Sequence, residues 1–427
     1  MKTGNNHRHN ICLSRMGITF KRIFMSILAL SLAFNIYATN TPNQFSDDVI
    51  RIAVVTDVEG SWSESVGQGA LVAAEMALDD IGGKVGDYAV EIQLIDHKHK
   101  KGEEASALAK RLIDDGFDVI TELSGSSTAI PIYKYANRKK IVTIVVGAGS
   151  SSLTNKNCSK TGFHWSFDTY ALSKGLTKAI ASNKDGGKWY FIGLDGFVQP
   201  SAADAKPFIE SNGGKILGIK GFPWKSGKTN FKPEIEKAKN MGATVIAIAN
   251  AGSESVAAVR QIHESGLFVE EGSIVSLLTL LQDIRQLGLY SSRGLQFVSP
   301  FYWNYDNVTK EFSKRFLARH GSAPSSAQAA MYSSVFHYLR SVKRSGTDDG
   351  IKVARMMKSL PIDKNDPFAR NAYVRTDGRM VHDMYLVEVK SPEETTEAWD
   401  YLKLIDIIPG EDAFRPLEES ECPFISN

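Results

Sequence analysis

From residue 50 onward, short apolar runs alternate with amphipathic stretches, and this alternation leaves few folds open. Residues 50–56 (IRIAVVT) read as a strand, and 66–81 as a helix with Ala70, Ala73, Ala74, Ala77 and Ile81 on one face. Strand and helix patterns then follow at 90–96, 103–115, 119–121 and 127–139, ending in a continuous apolar strand at 141–146. A second series begins after Trp165. It has helices at 171–184, 201–212, 233–241 and 253–265, and strands at 188–194, 216–221, 244–249 and 273–278. Strand–helix–strand units of this kind close right-handed and build parallel sheets, so two series imply two doubly wound α/β lobes. After residues 295–299 the pattern changes. Helices are expected at 307–320, 325–344 and 351–360, and Thr376-Asp377-Gly378 should turn an antiparallel hairpin between 373–375 and 384–389.

A chain of 427 residues is long enough for two or three domains. Fifty basic residues against forty-eight acidic ones provide no basic surplus of the kind that nucleic acid attracts. Residues 1–38 are built like an export signal: Lys2, Arg8, Arg15, Lys21 and Arg22 precede an apolar run at 23–34, and small Ala38 marks a cut. That run is short for a bilayer span. The expectation is therefore export to an oxidising compartment, with cleavage near Ala38. Cys12 would leave with the signal. Cys158 and Cys422 remain, a number that suits one disulfide in an oxidising compartment, with two independent buried thiols as the alternative.

Catalytic signatures are missing. Gly227-Lys228-Thr229 lacks the glycine that a phosphate-binding loop needs five residues earlier, where Phe222 stands, so it reads as a polar turn. His97 and His99 alternate with lysines and read as a solvated turn rather than a metal site. His382-Asp383 has no serine or cysteine elbow beside it. The expectation is a non-enzyme with no metal and no cofactor.

What remains informative is the set of loops that follow the strands, because parallel sheets bind ligands beyond their carboxyl ends. Trp62 stands in the loop after the first strand. Ser126, Ser127 and Thr128 open a helix, where free N–H groups favour an anion. Ala148, Gly149 and Ser150 follow the fourth strand and let a ligand approach the backbone. Capping explains any one such serine. Three small, polar loops on one sheet edge describe a seat for a small carboxylate. In the second series, Tyr170 and Phe197 could wall an apolar pocket, and Glu254 could accept from an ammonium group. Core packing and helix-dipole placement are their ordinary alternatives.

The chain resembles the leucine/isoleucine/valine-binding family of periplasmic binding proteins, the type I receptors of ABC importers. The likeness rests on RIAVVTDVEGSW, SGSST and VVGAGSSSLT in order, and on CSKTGFHWSFDTYAL, AFRPLEESECP and DGRMVHDMYLVEV for a longer branch. The resemblance implies two lobes joined by a three-segment hinge, a ligand between them and a membrane permease as partner. The first lobe should hold 49–164 with 297–360, and the second 165–296 with 361–395. Residues 396–427 should form a tail returning to the hinge, carrying Cys422 to Cys158. A monomer is expected. By position, Ser126–Thr128 and Ala148–Ser150 match the family's carboxylate-binding segments, and Glu254 its ammonium-binding acid. Phe197 stands where the family carries a tyrosine. The expected ligand is a branched-chain or other apolar amino acid. Aromatic or aliphatic carboxylic acids are the alternative ligands, and a ligand-sensing subunit for a membrane signalling protein is the alternative role.

Overall fold

A computed structural model of the protein describes residues 45–181, 186–268 and 273–425, so the expected export segment lies outside the described residues. The elements below belong to the unit Asp47–Asn427.

The first sheet contains β1 (Val49–Thr56), β2 (Lys84–Val85), β3 (Tyr88–Asp96), β4 (Val119–Glu122), β5 (Val142–Val145) and β6 (Gly162–His164), ordered β2-β3-β1-β4-β5-β6. Every pairing is parallel except that of the two-residue β2. The crossovers are α1 (Gly67–Asp80), α2 (Gly102–Asp114) and α3 (Ser126–Arg138). Ala70, Ala73, Ala74 and Ala77 of α1 are buried, as their spacing predicts.

After α4 (Thr169–Ala181) comes the second sheet. Its members include β7 (Lys188–Leu194), β8 (Lys215–Phe222), β9 (Val245–Ala249), β10 (Ile274–Ser276) and β11 (Gln296–Ser299). They alternate with α5 (Val198–Ser211), α6 (Lys232–Asn240), α7 (Ser253–Ser265), α8 (Leu281–Leu287) and α9 (Leu289–Ser292). Burial on both faces follows from the two-residue period of a strand. Trp189 and Phe191 enter one core with Val245 and Ala247, whereas Tyr190 and Ile192 enter the other with Ile246 and Ile248.

The chain then returns to the first lobe as α10 (Asn307–His320), α11 (Ser326–Ser345) and α12 (Gly350–Ser359). Arg315 holds Asp80 of α1 through 2.7 and 2.8 Å bonds, and the Tyr332 hydroxyl donates to the same carboxylate at 2.6 Å. The expected hairpin forms differently. Across the Thr376–Gly378 turn, β12 (Tyr373–Val374) pairs with β13 (Met380–Val381), while β14 (Met384–Val389) runs antiparallel to β11 in the second sheet. β15 (Leu402–Ile408), unrecognised in the sequence, covers β14 as the edge, giving the order β15-β14-β11-β10-β9-β7-β8. The short α13 (Gly410–Ala413) follows.

The chain thus passes between the sheets three times: after β6, after β11 and between α12 and β14. The crossings are tied together. Arg379, fully buried, meets Asp168 of the first crossing at 3.3 Å, and Arg370 of the third holds Asp306 of the second at 2.7 Å. Such a buried charge needs its partner, because an unpaired one is costly to remove from water. The tail ends in a disulfide between Cys422 and Cys158, whose Cα atoms lie 5.5 Å apart, and this closes a span of 264 residues. Among the described residues no helix is long and apolar enough to cross a membrane.

Candidate functional site

Doubly wound sheets bind ligands where the strand order reverses. The first sheet reverses between β1 and β4, and the second between β7 and β9. The loops after those four strands carry Trp62, Gly125–Ser126, Phe197 and Gly252–Glu254.

The two edges are in contact. A methyl group built on Gly125 would lie 3.0 Å from Cζ3 of Trp62. One built on Gly252, in the other lobe, would lie 2.7 Å from Cδ1 of Trp62 and 2.8 Å from the Ser61 carbonyl oxygen. Both glycines have positive φ, 81° and 55°, so space and backbone together require the missing side chain. Farther along, a methyl on Gly149 would meet Phe167 at 3.0 Å and Phe197 at 4.0 Å. Asp204 of α5 accepts from Ser151 at 3.0 Å and from Thr169 at 2.6 Å, and burial raises its pKa.

In the first lobe, Asp57 is buried, and its carboxylate accepts from the amides of Gly60 at 2.8 Å and Trp62 at 3.0 Å. The Trp62 ring lies edge-on to His99 at 5.5 Å and to Trp224 at 5.7 Å. Ser126 accepts from the Ser150 amide at 3.2 Å, which joins two of the predicted loops. The Ser150 hydroxyl pairs with that of Ser152 at 2.8 Å. The Ala148 carbonyl accepts from His164 at 2.7 Å. Ser127 is exposed, and its hydroxyl makes no hydrogen bond among the described residues.

Two of the expected residues have partners within the chain. Thr128 is buried, and its hydroxyl donates to the Lys100 carbonyl at 2.7 Å, which ties α3 to a neighbouring loop. Tyr170 is taken by the tail. Its ring lies 4.3 Å below the Arg415 guanidinium and edge-on to Phe208 at 5.3 Å, with its hydroxyl 3.4 Å from Glu419. Burial, then the Glu419 charge, pushes that hydroxyl up to about 12.

In the second lobe, Glu254 is fully buried. Its Oε1 accepts from the amides of Lys225 at 2.9 Å and Gly227 at 2.8 Å. Its Oε2 has no partner among the described residues, and neither do Oδ1 of Asn250, Oγ of Ser253 or Nε1 of Trp62. Buried polar atoms are nearly always satisfied, so an edge carrying several open ones is set to be completed by something else. Phe197, half-buried, opens α5 and packs on the core of its lobe.

Sequence reasoning missed three groups. His97 is buried, not solvated; its flanking lysines hid it, although its place directly after β3 is a strand-end position. Glu122, at the end of β4, is buried, and burial pushes its carboxyl up to about 7. The Gly227-Lys228-Thr229 turn supplies an amide to Glu254, and its neighbour Trp224 faces Trp62. Among the described residues no cluster of three or more histidine, cysteine or acidic side chains could hold a metal ion.

A family model described as periplasmic binding protein matches residues 49–395, so the chain belongs to that family. The chain is a periplasmic substrate-binding protein of the ABC-transporter type, and its family is one of solute-binding proteins, not enzymes. Among solved structures, a periplasmic binding protein from Burkholderia mallei is 36% identical with a TM-score of 0.83, covering 89% of this chain and 100% of that one. A branched-chain amino-acid ABC-transporter ligand-binding protein from Burkholderia xenovorans is 30% identical with a TM-score of 0.79, covering 88% and 99%. An ABC-transporter solute-binding protein from R. palustris, solved with benzoate, shares the fold at 16% identity and a TM-score of 0.75, covering 88% and 100%. No curated protein sequence matches.

Proposed function

We propose that the protein binds an apolar α-amino acid between its lobes, in the periplasm, and delivers it to the membrane permease of an ABC importer. The observation that carries this reading is the open oxygen of Glu254. The carboxylate is fully buried, two amides occupy Oε1, and Oε2 has no partner. A buried acceptor of this kind is costly until it is filled, and a ligand ammonium is the group that fills it with charge as well as hydrogen bonds. The ligand carboxylate goes to the first lobe, where the exposed Ser127 stands in the first turn of α3, at a helix N-terminus that favours an anion. Trp62 and Phe197 wall the apolar side. The relative from Burkholderia xenovorans is described as a branched-chain amino-acid transporter component, in keeping with this class.

A second reading, an aromatic or aliphatic carboxylate, is supported by Phe197, which offers no hydroxyl, and by the benzoate of the R. palustris protein. A thermal-shift screen separates the two, because a ligand that binds only the folded state raises its melting temperature. L-leucine should stabilise the protein and 4-methylpentanoate, the same molecule without its amino group, should not. Stabilisation by 4-methylpentanoate or benzoate, with none by any amino acid, would overturn the first reading in favour of the second.

A further inference from the structure

We propose that His97 is a positioning residue for the cleft: through Ser124 it fixes the Trp62 loop against the Gly125 turn, and it touches no ligand itself. The proposal rests on the reading of Trp62 as a cleft wall.

The hydrogen bonds around His97 have a fixed direction. The His99 amide donates to Nδ1 of His97 at 3.0 Å, which makes that nitrogen an acceptor. The proton of the neutral ring therefore sits on Nε2, which donates to Oγ of Ser124 at 2.8 Å. The same oxygen accepts from the Asp57 amide at 3.2 Å, and the Ser124 amide donates to Glu122 at 2.8 Å. Three loops, those after β1, β3 and β4, thus meet at one hydroxyl.

The geometry explains why the residue is a histidine. Lys98 and His99 have φ values of 48° and 51°, a left-handed turn that brings the His99 amide back onto the preceding ring. One side chain must then accept close to its own backbone and donate at its far end, as a neutral imidazole does. His97 is fully buried, and burial, followed by the proximity of His99, lowers its pKa, so the ring stays neutral. Downstream, Asp57 is placed to take the amides of Gly60 and Trp62, and Gly125, the residue after Ser124, forms the floor under the indole. The polar chain accounts for a buried histidine at a strand end.

The experiment uses the chain labelled with 5-fluorotryptophan. Its six tryptophans give separate fluorine resonances, and Trp62→Phe assigns that of Trp62. In ligand-free protein, His97→Leu should shift and broaden the Trp62 resonance and leave those of Trp165 and Trp189, buried in the cores, unmoved. His97→Gln keeps a donor near the Nε2 position and should restore the wild-type signal. Ser124→Ala, a smaller change that tests the same joint if His97→Leu does not fold, should reproduce the shift. L-leucine binding, where measured by calorimetry, should weaken about tenfold in His97→Leu and recover in His97→Gln. An unmoved Trp62 resonance in folded His97→Leu or Ser124→Ala overturns the proposal, and so does His97→Gln behaving like His97→Leu. If the resonance moves as expected but L-leucine binds not even the wild type, the amino-acid reading fails while the positioning role stands.

Discussion

The two edges of the cleft are built in opposite ways. On the first lobe the strand-end loops bond mainly to one another: Asp57 to Gly60 and Trp62, His97 to Ser124, Ser126 to Ser150 and Thr128 to Lys100. On the second lobe, Asn250, Ser253 and Glu254 keep buried polar atoms open, and few bonds tie that edge together; the first lobe also keeps Nε1 of Trp62 and Oε1 of Glu122 open, but within a bonded frame. An edge whose loops are bonded to one another holds its shape without ligand. An edge with an open carboxylate oxygen and few internal ties gains most when one arrives, so on the proposed function discrimination between ligands belongs to the second lobe. On the proposed function, the first lobe is a pre-formed seat for the group that all carboxylate ligands share.

The sharpest way to break this comparison is to keep the edges apart. Gly252→Val would place atoms within 2.8 Å of the Ser61 carbonyl and of Trp62, at a φ that disfavours side chains. Overpacking of this kind costs about 1–3 kcal/mol in a packed contact. L-leucine affinity should fall roughly a hundredfold, and the backbone strain at this φ should also lower the melting temperature of the free protein. Calorimetry and thermal denaturation check the two halves of that statement.

The first lobe's self-sufficiency has its own test in Glu122. Burial holds its carboxyl at about 7 in place of 4.5, so the unfolded chain ionises first as pH rises. Stability is complete below about pH 4.5, declines up to about pH 7 and is flat above, by up to about 3 kcal/mol for this one group. Glu122→Gln, which still offers an oxygen to the Ser124 amide, should remove its share of the decline. Melting temperatures measured across that pH range report it.

A smaller effect is expected at Ser127, the exposed hydroxyl at the start of α3. Ser127→Ala should weaken every carboxylate ligand alike, by about 1.5–3 kcal/mol if a charged hydrogen bond is lost. A loss confined to one ligand would move discrimination onto the first lobe and undo the comparison.

Much of this was legible in the sequence because it is written in periodicity. The strand–helix alternation predicted both sheets, and the strand-end rule led to Trp62 and Glu254. What stayed hidden depended on partners distant in the chain or on polar surroundings. β15 alternates apolar residues with Lys403 and Asp406 along an exposed edge, so it has no continuous apolar run to notice. The neighbours of Tyr170, Arg415 and Glu419, lie at the far end of the chain, and nothing local to Tyr170 announces them. His97 sits among lysines that point to solvent, whereas the ring itself turns inward to Ser124. For Glu254 the sequence supplied the acid but not the Lys225 and Gly227 amides that leave it with one oxygen to spare.

That spare oxygen is the centre of the account, and Glu254→Gln addresses it most directly. The amide keeps an oxygen for the Lys225 and Gly227 amides, so the fold should hold, but it turns an ammonium acceptor into a neutral group carrying its own N–H donors. Calorimetric titration with L-leucine should show affinity falling by about a hundredfold or more relative to wild type, as expected when a buried charge pair loses one partner. Unchanged L-leucine affinity in a folded Glu254→Gln protein would contradict the claim that Glu254 holds the ligand's ammonium group.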